Sequence, residues 1–288
     1  MTQTVYLNGQ YLPIEESKIS TQDRGFLFGD GVYEVIPVFE RKMFEFNAHY
    51  QRLENSLQAT SIANPLDKQQ WKELLNTLIS KHPWDNQFIY LQITRGVQMV
   101  RNHLPDDCLT PTLYAYTNPL HSPDENIVKK GIKVITLEDI RWLRCDIKAI
   151  TLLPNIMMKL AAKNQGADDA ILLSQDNKVL EGTASNVFVV KNNVLFTPPT
   201  SKNILPGITR LVVEQIAKNH NIELKETELT LTDLEQADEI WLTSSTKNAL
   251  PVCELNGKKV GAGITGKMWL KINGLFTKTI KDIAKEIT

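Results

Sequence analysis

A lysine interrupts an apolar run. In "EDIRWLRCDIKAITLLPN", residues 138–155, Lys148 sits among Trp142, Leu143, Ile147 and Ile150, residue types that build a buried β-ribbon. Such a lysine either stands at a wet strand edge or is held for chemistry, where a primary amine serves as nucleophile or base. Glu181 in "VLEGTASNVFVV" has apolar residues before it and small ones after it. Its carboxylate either faces a pocket, where it can bind a ring N–H or act as a base, or ends a solvated hairpin. "LPGITRLVVEQ" opens a helix at Pro206, Gly207, Ile208 and Thr209, and "LTSST" ends a strand on hydroxyls that include Ser245. Helix-start N–H groups and hydroxyls are phosphate donors, although the same residues also make an ordinary helix start and a polar turn. Arg101 and His103 in "RGVQMVRNHLP", with Tyr33 in "FGDGVYEV", offer a guanidinium fork, an imidazole and a phenol. That set suits a carboxylate, unless the loop is simply solvated. There is no GxxxxGK[ST] and no GxGxxG, and His49, His82, His121 and His220 show no metal-ligand spacing.

The elements that must carry these groups follow from pattern. "TVYLNGQYL" reads as a hairpin with a type I′ turn at Asn8-Gly9, and "VYEVIPVFERKMFEF" as a second hairpin turning near Arg41-Lys42. Tyr50, Leu53, Leu57 and Ile62 fall near helical spacing with Asn47 as N-cap, and Trp71, Leu74, Leu75 and Leu78 repeat the pattern. "QFIYLQITRG" and "PTLYAYT" read as strands, and "NPLHSPDEN" (118–126) as a linker. After it, "GIKVITLEDIRWLRCDIKAIT" reads as β-rich, and "PNIMMKLAAKNQGA" as a helix between Pro154 and Gly166. "DAILLS", "VLEGTASNVFVV", "NVLFTP" and "EIWLTSST" read as strands, "GITRLVVEQIAKNHN" as an amphipathic helix, and the chain from Thr265 onward as helical. The class is α+β or mixed α/β, in two domains: a smaller one over 1–120 and a larger one over 121–288 that carries Lys148.

Composition narrows the partners. The 288 residues are 42% hydrophobic and 23% charged, which is globular rather than disordered. A net charge of −1 leaves no basic field for nucleic acid or an anionic membrane. Apolar runs such as "AILL" and "VFVV" are too short to span a bilayer, and "MTQTVYLNGQYLPIEES" lacks a signal-peptide pattern. Cys108, Cys145 and Cys253 fit neither a disulfide framework nor a zinc site, so a reducing, cytoplasmic setting is expected.

Taken together, "GDGVYEV", Arg52 in "HYQRLENS", "RGVQMVRNH", "DIRWLRCDIK", "EGTASNVF", "PGITR" and "TSST" resemble the fold-type IV pyridoxal-phosphate aminotransferases over about residues 5–260. The resemblance implies that architecture, with pyridoxal 5′-phosphate as cofactor. It implies Lys148 as the lysine that forms a Schiff base with the cofactor and then moves the substrate α-proton. It also implies Glu181 as the partner of the pyridine nitrogen, and Arg52, Ile208, Thr209 and Ser245 as the phosphate cradle. Ser245 stands where the family commonly has threonine, and Pro206 where relatives carry lysine. Tyr33, Arg101 and His103 match the carboxylate-binding set of the D-amino acid enzymes, and Arg141 a second arginine near the site entrance. The implied substrates are D-amino acids and 2-oxo acids, with D-alanine plus 2-oxoglutarate giving pyruvate and D-glutamate by a ping-pong route. The loop with Arg101 and His103 implies a homodimer with composite active sites. Branched-chain L-amino acid aminotransferases and aminodeoxychorismate lyases share the fold and are the alternatives; the trio argues against both.

Overall fold

Asn8 and Gly9 both take positive φ, 45° and 95°, which closes the first hairpin between β1 (Thr4–Leu7) and β2 (Gln10–Pro13) as the Asn-Gly pair requires. The structure, a computed structural model, describes residues 3–121 and 124–285. Next come α1 (Arg24–Phe28), β3 (Gly31–Phe39), β4 (Lys42–Met43), α2 (Phe46–Thr60), α3 (Lys68–Ser80), β5 (Gln87–Thr94) and β6 (Thr112–Pro119). The second hairpin turns at Glu40-Arg41, both at positive φ, one residue earlier than expected. Helix α2 starts before Asn47: its N-cap is Glu45, in the left-handed region, with no side-chain cap. Asp67 and Gln70 form a capping box for α3. The six strands pair antiparallel in the order β2-β1-β6-β5-β3-β4. On one sheet face, Val32, Ile36, Ile89, Leu91 and Ile93 bury against Leu53 and Leu57 of α2 and Trp71, Leu75 and Leu78 of α3. Each fully buried side chain of this kind contributes ~1.5–3 kcal/mol. Tyr33, Tyr90, Tyr116 and Tyr114 alternate to the other face, where Tyr90 stacks on Tyr33 and Tyr116 and the Tyr114 ring is tilted against Tyr116.

The chain divides into two units, Met1–His121 with Ile147–Thr151, and Ser122–Asp146 with Leu152–Thr288. The short segment bearing Lys148 therefore groups with the first unit and not with the C-terminal one. Its backbone explains why: Tyr33 N–H donates to the Lys148 carbonyl at 2.9 Å, Ile150 N–H to the Gly31 carbonyl at 3.1 Å, and Ala149 bridges Val32. The expected β-ribbon beyond residue 138 is absent. Trp142 is 49% exposed and Leu143 78% exposed, and only Ile147 of the apolar set is buried. Buried polar contacts of Asp139 and Arg141, described below, shape this stretch instead of alternation.

In the second unit, α4 (Glu125–Lys130), β7 (Ile132–Glu138), α5 (Leu153–Asn164), β8 (Asp169–Leu173), β9 (Val179–Gly182), β10 (Asn186–Lys191), β11 (Val194–Thr197) and α6 (Ile208–Asn219) lead on to β12 (Leu224–Glu226), α7 (Leu231–Glu235), β13 (Glu239–Ser244), β14 (Asn248–Leu255), β15 (Lys258–Lys259) and α8 (Lys267–Lys285). Of the expected linker, Asn118 and Pro119 close β6 and Glu125 and Asn126 open α4; residues 122 and 123 lie outside the described residues, as do 286–288 of the expected C-terminal helix. "VLEGTASNVFVV" is two strands, β9 and β10, broken at residues 183–185. The mixed sheet runs β12-β11-β10-β13-β14-β7-β8-β9, with β15 on β14. Parallel pairs at β7/β8, β7/β14 and β11/β12 give the α/β half of the mixed class. Val187, Ile240, Leu242 and Val252 centre its core, and Met158 and Ala162 seat α5 on Ala170 and Leu172. Among the described residues no helix is long and apolar enough to cross a membrane.

Candidate active site

The first unit holds Tyr33, Arg52, Arg101, His103 and Lys148. Lys148 Nζ lies 4.2 Å from the centroid of the Tyr33 ring, and the Lys148 amide donates to Ser56 Oγ at 3.2 Å. The amine is therefore set on the tyrosine face by a backbone fastened on both sides. Behind it is a buried charge cluster. Arg52 gives Nε and Nη2 to the two oxygens of Glu34 at 2.7 and 2.8 Å, and His49 Nδ1 meets Glu34 Oε2 at 2.8 Å. Burial opposes the Glu34 charge, but the charge and hydrogen bonds of Arg52, with those of His49, hold its carboxyl far below the usual range. An ionised carboxylate only accepts, so His49 Nδ1 carries the proton. Burial keeps His49 neutral by lowering its pKa against the pull of Glu34, with Arg52 and Lys148 adding to the lowering.

Sequence reading missed Glu34, yet a signal exists. Glu34 alternates with Val32, Ile36 and Val38 on the core face of β3, and His49 and Arg52 lie on the core face of α2 beside Leu53. An acidic residue on a core face needs a buried partner. Glu34→Gln is expected to lower stability by ~3–5 kcal/mol, because it removes the buried carboxylate that pairs with both the Arg52 guanidinium and His49. Chemical denaturation at neutral pH measures this. The wild-type contribution is present above the ordinary carboxylate range and lost as pH falls through the depressed value.

Arg101 and His103 project from an irregular loop onto Phe28. The Arg101 guanidinium carbon is 4.9 Å from the Phe28 ring centroid and the His103 ring 5.4 Å.

The second unit holds Arg141, Glu181, Ile208, Thr209 and Ser245. Glu181 lies in β9 at 4% exposure, not in solvent. Arg141, its side chain 6% exposed, pairs with Glu181 Oε1 and, at 2.8 Å, with Asp139. The other carboxylate oxygen accepts from Asn186 Nδ2 at 3.1 Å and the Leu205 amide at 3.2 Å. Asn186 Nδ2 also donates to the Leu205 carbonyl at 2.9 Å, which ties Glu181 to the loop that opens α6. Gly207 caps α6, and a Cβ there would collide with Asn186 Oδ1, so this close approach requires glycine. Asn186 pairs with Thr243, two residues before Ser245, which brings the hydroxyl turn to the same end of the sheet. Burial pushes the Glu181 carboxyl up to about 7, against the pull of Arg141 and the Leu205 amide. The sign follows: a raised carboxyl favours folding below its ordinary value, and that contribution is lost as pH rises through about 7. Without cofactor, Glu181→Gln is expected to remove a pH-dependent destabilisation of ~3 kcal/mol between pH ~4.5 and ~8. Denaturation of both proteins at the two pH values isolates the difference.

The sequence profile of the amino-transferase class IV family matches residues 31–255. A D-alanine aminotransferase of Listeria monocytogenes serotype 4b (strain F2365) is 38% identical over 285 residues, 98% of either chain. The chain belongs to the class IV aminotransferases. Solved structures share its fold. The branched-chain amino acid aminotransferase of Escherichia coli matches with a TM-score of 0.91 at 24% identity, over 96% of this chain and 94% of that one. A hypothetical aminotransferase of Mycobacterium tuberculosis, solved in its PLP-bound form, matches with a TM-score of 0.84 at 25% identity, over 96% and 98%.

As a class IV aminotransferase, the chain has residues that fit a phosphorylated, ring-nitrogen cofactor. The α6 N-terminus has no side-chain cap, which leaves first-turn N–H groups beside the Thr209 hydroxyl for a phosphate. Ser185 Oγ, four residues after Glu181, is buried with no hydrogen-bond partner among the described residues. A buried carboxylate with a raised pKa gains from a further cation, which a protonated ring nitrogen supplies.

Proposed function

We propose that the protein is a pyridoxal 5′-phosphate-dependent D-amino acid aminotransferase that exchanges D-alanine and 2-oxoglutarate for pyruvate and D-glutamate by a ping-pong route. The observation that carries this reading is the end-to-end likeness to D-alanine aminotransferases in a chain that carries Tyr33, Arg101, His103 and Lys148. The cofactor supplies the carbonyl that accepts the amino group and the ring that takes up the electrons of the α-carbon. Lys148 Nζ holds the cofactor between turnovers and takes the proton from the substrate α-carbon. Glu181, oriented by Arg141 and Asn186, keeps the ring nitrogen protonated. Ile208 and Thr209 amides, the Thr209 and Ser245 hydroxyls and Arg52 bind the phosphate. Arg101, His103 and Tyr33 bind the substrate carboxylate.

The unit of function is a homodimer in which Arg101 and His103 serve the partner's site. Met99, Val100 and Leu104, which flank those two residues in the chain, are all exposed, as is Phe26 of α1, and exposed apolar side chains of this kind suit a second copy. The three free cysteines suit a reducing cytoplasm. Incubation with D-alanine, 2-oxoglutarate and cofactor, followed by chiral analysis for pyruvate and D-glutamate, tests the reaction; L-glutamate as sole product sinks it. Mixing Lys148→Ala with Arg101→Ala subunits tests the composite site. Random reassociation is expected to restore roughly a quarter of the sites, and no recovery after confirmed exchange places both residues in one subunit's site.

A further inference from the structure

The loop over residues 97–106 has no helix or strand of its own, carries Arg101 and His103, and exposes Met99, Val100 and Leu104. An irregular exposed loop is ordinarily mobile. Two buried side chains fasten this one from beneath. Arg24 and Gln98 are each 4% exposed. Arg24 Nη1 donates to the Asn102 carbonyl at 2.7 Å and to Gln98 Oε1 at 2.9 Å, and Nη2 donates to the His103 carbonyl at 2.9 Å. Gln98 Nε2 donates to the Val100 carbonyl at 3.1 Å and the Leu104 carbonyl at 3.4 Å, and Gln98 Oε1 also accepts from the Asp106 amide at 3.3 Å. Four loop carbonyls and one amide thus converge on two side chains.

Arg24 is itself immobilised. Its Nε donates to Asp30 Oδ2 at 2.8 Å, and Arg95 grips the same carboxylate at 2.8 and 3.0 Å. Arg95 also donates to the Thr60 and Ser61 carbonyls at the end of α2. Asp30 lies three residues before Tyr33, so one network joins the start of β3, the end of α2 and the loop. The side chains are set as well: the Arg24 and Arg101 guanidinium carbons each lie 4.9 Å from the Phe28 ring centroid. A planar guanidinium serves these acceptors in fixed directions, which an ammonium cannot reproduce.

We propose that Arg24 is the positioning residue of the carboxylate-binding loop: it fixes where Arg101 and His103 stand and, through them, the discrimination between substrate enantiomers. The proposal rests on the roles given above to Arg101 and His103. Holding a grip to within a fraction of an ångström matters because a displacement of ~1 Å in a reacting pose costs about 100-fold.

The test uses the cofactor-loaded enzyme with Arg24→Lys and Gln98→Ala. The expected result is a KM for D-alanine raised about tenfold or more, a D-to-L-alanine preference reduced by a similar factor, and faster hydrogen exchange across residues 99–105. Covalent retention of cofactor after borohydride reduction is expected to stay at the wild-type level. A folded Arg24→Lys enzyme whose KM, enantiomer preference and loop exchange lie within about twofold of wild type overturns the proposal. If Arg24→Lys does not fold, Gln98→Ala decides by the same criteria. Failure of both to fold assigns the pair to the fold and also overturns it. A wild-type enzyme without preference for D-alanine removes the roles of Arg101 and His103, and the specificity claim with them, whereas the exchange rates still report whether Arg24 clamps the loop.

Discussion

Lys148→Ala is expected to abolish transamination, with a loss of at least about 1,000-fold and no covalent cofactor after borohydride reduction. A methyl group can neither form the bond to the cofactor nor carry the α-proton. The fold is expected to survive, because the bonds that fasten residue 148 run through its backbone: its amide to Ser56 Oγ and its carbonyl to the Tyr33 amide. Near-wild-type thermal unfolding is the control. The other lysines close in sequence offer poor substitutes. Lys159 Nζ is held by the Asp168 carbonyl and by Asp169, both at 2.6 Å. Peptide mapping after reduction locates the attachment, and cofactor still fixed to the variant at Lys159 or Lys163 refutes the assignment.

Arg101→Ala is expected to lower kcat/KM for D-alanine by about 100-fold or more, chiefly through KM, while covalent retention of cofactor stays unchanged. In the proposed role the guanidinium would grip the carboxylate through two charge-assisted hydrogen bonds, each stronger than a neutral one, and its truncation would leave that carboxylate to His103 and Tyr33 alone. Handedness follows from the same contacts. With the substrate amine held at the cofactor and its α-hydrogen presented to Lys148, the place of the carboxylate would decide which enantiomer has room for its side chain. A wrong-handed substrate leaves several donors unpaired at once, and such losses make rejection steep. Unaltered kinetics in Arg101→Ala would place the carboxylate grip elsewhere.

Much of the fold was legible where local chemistry decides it. Asn8-Gly9 can only turn, and the spacing of Trp71, Leu74, Leu75 and Leu78 marks the buried face of α3. The stretch after Glu138 was not legible as a strand or as a loop, because its shape depends on Asp139, Arg141 and Glu181, partners up to 40 residues apart. Apolar content suggested a ribbon, and tertiary polar contacts overrode it. Helix α2 began at Phe46 because Glu45 adopts a left-handed conformation, which residue type does not announce. Among the candidate residues, Lys148 and Glu181 stood out as charges in apolar surroundings. Arg141 matched a motif, but its engagement with Glu181 and Asp139 needed three dimensions. Glu34 was visible as an acid on a core face and went unread; Arg24 and Gln98 follow no sequence pattern, since most of their partners are backbone groups of a loop.

Substrate handedness is the claim on which the functional reading turns. Steady-state kcat/KM for D-alanine, L-alanine and L-leucine, each with 2-oxoglutarate and saturating pyridoxal 5′-phosphate, tests it most directly. D-alanine is expected to exceed both L-amino acids by orders of magnitude. Faster turnover of L-leucine than of D-alanine would contradict the account, move the protein to the branched-chain enzymes, and remove the roles given to Tyr33, Arg101 and His103.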